Sequence, residues 1–181
     1  MNLFKEFKPA FFFLGKFLAI YFIGNVLYGL FVEAYGSRPD PATIEVTQQA
    51  SFFLNAIGFN THTELHSAEP TIILYDEGNR VISVFEGCNG INVMIVFVGF
   101  LIAFGGRAKY LAFFLPAGLI AIHIFNILRL TLLFSLAKGN SPQFHYYHKY
   151  FFTATLYVIV FVLWYVWATR FNDKQPAKSA G

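Results

Sequence analysis

Charge is the first thing this sequence lacks. Of its 181 residues only 13% are charged, 13 Lys and Arg against 10 Asp and Glu. A soluble domain carries about 25%, so too little polar surface is present for one. Cysteine is nearly absent too. One thiol makes no intrachain disulfide, and one thiol with scattered histidines makes no zinc cluster. The net charge of +3 is too small to mark an anionic partner. A disordered chain, a nucleic-acid-binding domain and a disulfide scaffold are thereby excluded. What is there is 56% hydrophobic and 20% aromatic, the composition of a chain that lies in a membrane. The length suits one domain.

Four apolar stretches run over about 9–32, 88–104, 110–137 and 150–168. A spanning helix needs about 20 apolar residues, with roughly 17 to 25 tolerated, so each qualifies and the second is the shortest. They predict an all-α integral membrane fold with about four transmembrane helices, forming a single polytopic domain over residues 1–171. The first stretch follows Lys5 and Lys8 but is too long for the apolar core of a signal peptide. No small-x-small site follows it at Val32-Glu33-Ala34-Tyr35-Gly36, so it reads as a retained anchor. The third continues past Arg129 to Ala137, which suggests a helix protruding from the bilayer. Trp164, Tyr165 and Trp167 form an interfacial belt near the end of the fourth. Residues 172–181 are polar and small, and read as a disordered cytoplasmic tail.

Basic residues near helix ends set orientation. Lys5, Lys8, Arg107, Lys109, Arg170, Lys174 and Lys178 place both termini in the cytoplasm, and the short loop Gly105 to Lys109 is the cleanest of these signals. Residues 33–87 are then extracytoplasmic. In them Asp40-Pro41 reads as an N-cap followed by Pro at the first helical position. A helix over Ala42 to Ile57 follows, with Gly58 as its stop. Phe52, Phe53, Leu54 and Ile57 make its second half apolar, so it is expected to lie on or dip into the membrane as an outer amphipathic helix. Thr71 to Tyr75 and Arg80 to Phe85 predict a small β-hairpin, turned at Asp76-Glu77-Gly78-Asn79. The hairpin leads straight into Glu86-Gly87-Cys88-Asn89-Gly90.

Polar groups at the membrane are the ones that need a reason. They are Cys88, Asn89 and Asn92; His123, Asn126 and Arg129; and His145 and His148. On this topology Cys88, Arg129 and the His145–His148 pair all reach the outer face. A thiol, a guanidinium and an imidazole at one depth could perform acyl transfer. Each also has a plain structural reading. Cys88 can be a small core residue, although its glycine-flanked strand-to-helix turn suits an exposed nucleophile. Arg129 can be a snorkelling anchor or an oxyanion stabiliser. Asn126 lies one turn before it on a similar face. His123, two turns inward, reads as a hydrogen bonder between helices. His145 and His148 can be a polar-aromatic belt or a general acid and base. Two histidines without a third ligand make a weak metal site, so neither metal nor cofactor is expected.

Three segments resemble the exosortase/archaeosortase family of membrane transpeptidases in order, spacing and membrane side. They are Glu86-Gly87-Cys88-Asn89-Gly90-Ile91-Asn92, Asn126-Ile127-Leu128-Arg129-Leu130, and Phe144-His145 ahead of the last helix. The likeness covers roughly residues 83–157. The small size is similar to the short exosortase branch called type F; many exosortases have more spans. The resemblance implies a multi-pass protein of the bacterial inner membrane with its active site on the extracytoplasmic face. It implies a cysteine transpeptidase or protease acting on exported proteins, whose C-terminal tails carry a signature, a transmembrane helix and a basic cluster. Cys88 would attack the scissile carbonyl and hold a thioester, Arg129 would bind the oxyanion, and His145 would move the proton. Glu86, Gly87, Asn89, Gly90 and Asn126 would support them. The family often has Gly four residues after the His; here Lys149 stands there, so His148 remains an alternative to His145. The implied partners are the tailed exported proteins, membrane lipid and an unidentified acceptor nucleophile, with no nucleic acid and no cofactor. A reading from another class is a non-enzymatic membrane subunit or transporter component. It would use Arg129, His123 and His148 as structural or ion-pathway groups. A third is a haem or metal protein built on His123, His145 and His148. Cys88 separates the first reading from the second.

Overall fold

The computed structural model describes residues 3–139 and 152–171. Among the described residues three helical stretches are long and apolar enough to cross a bilayer: Phe7–Glu33, Ala108–Lys138 and Ala154–Phe171, with mean hydropathies of 1.8, 2.1 and 1.5. They belong to α1 (Leu3–Glu33), α4 (Ala108–Lys138) and α5 (Phe152–Val166), the last prolonged by a π turn over Trp167–Phe171. Between α1 and α4 lies α3 (Ile91–Phe104), apolar but only 14 residues long. At 1.5 Å per residue it covers about 21 Å, less than the roughly 30 Å hydrocarbon core. It is shorter than the apolar stretch in the sequence because the residues before Ile91 form a turn. The protein is a multi-pass membrane protein.

Close packing holds the helices together, since lipid offers no hydrophobic drive between them. At the α1–α3 seam Gly24 faces Ile95, where a Cβ would come within 2.7 Å of a side-chain methyl. Further along, Gly99 receives Phe17 and Ile20, and Phe13 meets Phe100 edge-on at 5.5 Å. Phe97, Leu101, Ile122, Val160 and Trp167 make a core shared by α3, α4 and α5. Gly118 of α4 leaves the space that the Phe97 ring fills. Trp167 donates its indole N–H to the Gly105 carbonyl at 3.1 Å, which ties the end of α5 to the α3–α4 loop.

A second core lies at the other end of α4. The helix α2 (Pro41–Ala56) starts at Asp40, whose carboxylate accepts the N–H groups of Ala42 and Thr43 at 2.9 and 3.1 Å. It stops where Gly58 takes φ +102° and the Phe59 N–H returns to the Leu54 carbonyl. One face of α2, carrying Val46, Ala50 and Leu54, packs on Leu130 and Phe134 of α4 and on Leu74, Ile82 and Val84 of a sheet. Phe52 and Ile57 stay exposed, as an amphipathic outer helix requires. The sheet is antiparallel with order β1 (Thr61–Leu65), β2 (Ile72–Asp76), β3 (Asn79–Val84). Glu77 and Gly78 both take positive φ between β2 and β3, the geometry of a two-residue hairpin loop. The hairpin expected from the sequence is therefore extended by β1. That strand reads Thr-His-Thr-Glu-Leu and buries only Thr61, so no apolar alternation marks it. Ser51 and Asn55 of α2 hold it in place through hydrogen bonds to Thr61 at 2.6 to 3.1 Å.

Candidate active site

The site is built where β3 turns into α3. Phe85 is extended, and Glu86–Cys88 form one 3-10 turn closed by the Cys88 N–H on the Phe85 carbonyl at 2.8 Å. Asn89 follows in a helical conformation, and Gly90 takes φ +86° before α3 begins. That left-handed conformation favours glycine. Space demands it as well, since a Cβ at Gly90 would sit 3.1 Å from the Asn126 carboxamide carbon. At Gly87 the Phe85 ring occupies the place of a Cβ. Both glycines of the motif thus serve the turn.

Cys88 is 3% exposed and lies among Leu130, Val84 and Ile82. Its carbonyl accepts a hydrogen bond from Asn126 Nδ2 at 2.9 Å, and Asn126 is itself fully buried. Arg129, one turn on, reaches back with Nη1 to Asn126 Oδ1 at 3.4 Å. Its Nε is buried and has no hydrogen-bond partner among the described residues. Burial pushes the Cys88 thiol, which lies in the turn ahead of α3 and outside the spanning helices, above its ordinary value. The Arg129 guanidinium beside it pulls the other way and does not win. Near neutrality the sulfur is a thiol that a neighbouring cation makes easier to ionise.

Asn89 follows Cys88 directly in the turn, and it too is buried. It donates to Tyr28 Oη of α1 at 2.7 Å and to Thr43 Oγ1 of α2 at 3.1 Å. Tyr28 and Thr43 are absent from the sequence-based set. A tyrosine in an apolar helix reads as a lipid-facing or packing aromatic, and nothing local signals a partner 61 residues away. Glu86 contributes its carbonyl, which accepts from Tyr28 Oη at 3.1 Å. Asn92 is exposed and joins none of these bonds. His123 bonds Gln49 of α2 at 2.6 Å, and Gln49 in turn donates to Glu45 at 2.9 Å, so it joins helices as its place in the sequence suggests. His145 and His148 lie outside the described residues.

Chemically, the structure gathers a thiol, a guanidinium and a carboxamide from segments about forty residues apart. Residues 9–166 match a family model described as transmembrane exosortase (EpsH type). That range holds every residue of the site. No curated protein and no solved structure matches the chain. The chain belongs to the transmembrane exosortase family.

Proposed function

We propose that this exosortase-family protein is a membrane cysteine transpeptidase or peptidase, which removes C-terminal sorting tails from exported proteins through a thioester on Cys88. One observation carries the reading: Asn126 and Arg129, one turn apart on α4, converge on the turn that presents the cysteine.

The chemistry follows from the groups. A buried thiol needs a base, and His145, or His148 in its place, takes the proton. The thiolate sulfur bonds to the scissile carbonyl carbon, and the carbonyl electron pair moves onto oxygen. Arg129 stabilises that oxyanion with a donor free for it, as its buried Nε is among the described residues. Collapse breaks the C–N bond, and the imidazolium gives its proton to the departing amine of the tail. An amine acceptor or water then attacks the thioester, loses its proton to the imidazole, and expels the Cys88 thiolate. Asn126 and Asn89 hold the turn rather than the substrate.

The basic loop Gly105 to Lys109 and the basic N-terminal residues put both termini in the cytoplasm of a bacterial inner membrane. The Cys88 end of the bundle then faces the extracytoplasmic side, next to where a substrate's own transmembrane helix would emerge. Substrates are exported proteins ending in signature, helix and basic cluster, and the acceptor is an unidentified nucleophile. A thioester can be intercepted. Hydroxylamine added to membranes of the host should release sorted proteins as C-terminal hydroxamates, and membranes carrying Cys88→Ala should yield none. Hydroxamates of the same proteins from Cys88→Ala membranes would contradict the reading.

A further inference from the structure

We propose that Tyr28 of α1 and the Asp40–Thr43 pair at the start of α2 are positioning residues for Cys88. They fix the nucleophile's turn through the side chain of Asn89 and the carbonyl of Glu86. The proposal rests on the cysteine peptidase reading and adds residues that neither the motif nor the family match singles out.

The bonds form one directional set. Asp40 Oδ1 accepts the N–H groups of Ala42 and Thr43, and its Oδ2 accepts the Thr43 hydroxyl proton at 2.5 Å. With its proton committed, Thr43 Oγ1 has only lone pairs left, and it accepts from Asn89 Nδ2 at 3.1 Å. The same Nδ2 donates to Tyr28 Oη at 2.7 Å, so both amide protons are used. Tyr28 must then spend its own proton elsewhere, and it donates to the Glu86 carbonyl at 3.1 Å. Asn89 Oδ1 accepts the Ile91 N–H at 3.0 Å, satisfying one of the first free donors of α3. Turning the Asn89 amide over would set donor against donor at Ile91 and acceptor against lone pairs at Thr43. Only one orientation satisfies the set.

The consequence falls on Cys88. Its turn is pinned at the Glu86 carbonyl by α1, at the Cys88 carbonyl by α4, and at the Asn89 side chain by α1 and α2. The sulfur at the centre of the turn faces the Arg129 guanidinium. Asp40, Thr43 and Asn89 are all buried, and a buried network with every member satisfied is one that enforces a single geometry. A reacting group displaced by about an ångström can lose on the order of 100-fold in rate, so pinning of this kind bears on catalysis and not on folding alone.

Two conservative variants test it in the full-length protein. Tyr28→Phe keeps the ring and removes the hydroxyl. Thr43→Val keeps the shape and removes the hydroxyl, and Thr43→Ser restores it. Sorting-tail removal is followed by pulse-chase in the host, with Cys88→Ala as the reference. In parallel, iodoacetamide labelling of Cys88 is followed in detergent-solubilised protein. Tyr28→Phe and Thr43→Val should each slow tail removal by on the order of 10-fold. Both should speed labelling of the buried thiol at temperatures well below the unfolding transition, which the loss of one buried hydrogen bond lowers only modestly. Thr43→Ser should return both rates towards wild type. Wild-type tail removal and labelling in both Tyr28→Phe and Thr43→Val, with Cys88→Ala inactive, would overturn the positioning role alone. A lowered unfolding temperature that Thr43→Ser does not restore would also overturn it, by reducing the network to a packing device. Tail removal by Cys88→Ala would overturn the peptidase reading beneath it.

Discussion

Arg129 decides how the account reads at the scale of single residues. A guanidinium on an apolar helix is expensive unless it has work or partners. Among the described residues Arg129 has a long bond to Asn126, a thiol beside it, and a buried Nε with no hydrogen-bond partner. Arg129→Gln removes the charge and the fork, and tail removal should fall on the order of 100-fold or more, the usual cost of a lost oxyanion donor. Arg129→Lys keeps a charge without the fork and should recover only part of it. A second readout isolates the effect on Cys88. Arginine favours the thiolate, so its loss raises the thiol further, and the pH profile of iodoacetamide labelling should move to higher pH in Arg129→Gln. A profile that stays in place would separate the guanidinium from the sulfur. Cys88, Asn126 and Arg129 were legible in the sequence because polar groups stand out in apolar stretches and each had to be explained. Tyr28 and Thr43 were not, because their partner is brought to them by folding and no local pattern encodes it.

At the scale of elements, α4 does two jobs. Its first half packs with α3 and α5, and its last turns carry Leu130 and Phe134 into the core under α2 and the sheet. The run of apolar residues past Arg129 already suggested a helix that outlasts the bilayer. The α2 helix was equally readable, through Asp40-Pro41 at its start and Gly58 at its end. The strand β1 was not, because its contribution to the sheet is backbone pairing and a buried Thr61 rather than an apolar face. The start of α3 was hidden too, since the apolar stretch reads on from Cys88 while Gly90 takes a left-handed conformation that precedes the helix. The α3–α4 contact depends on Gly118. A Cβ there would run into the Phe97 ring, which is fully buried. Gly118→Ala should lower stability by about 1–3 kcal/mol through overpacking, measured as a fall in the thermal unfolding midpoint in detergent. Adding Phe97→Leu should give part of it back, a coupling expected only of side chains in contact.

At the scale of the molecule, the described residues form two separate cores, one made by the apolar helices α3, α4 and α5 and one by α2, the sheet and the end of α4. The cysteine turn lies in the second. In the proposed orientation, with the basic residues of the opposite end in the cytoplasm, that core is extracytoplasmic. A reporter inserted at Gly78, in the β2–β3 turn, should be active only outside the cytoplasm, and one inserted at Gly106 only inside it. The reverse pattern would invert the topology and remove the site from exported proteins. The fold class was visible because composition alone fixes a membrane chain, whereas the meeting of α1, α2 and α4 around one turn depends on contacts across the whole sequence. Tail removal through a thioester requires the Cys88 sulfur. Replacing Cys88 with Ala in the native host and reading the C-termini of membrane and surface proteins by mass spectrometry tests that claim. The prediction is a set of proteins that keep their signature, helix and basic cluster in the variant and lose them in the wild type. Unchanged C-termini, with the variant protein present in the membrane at its normal level, would contradict it.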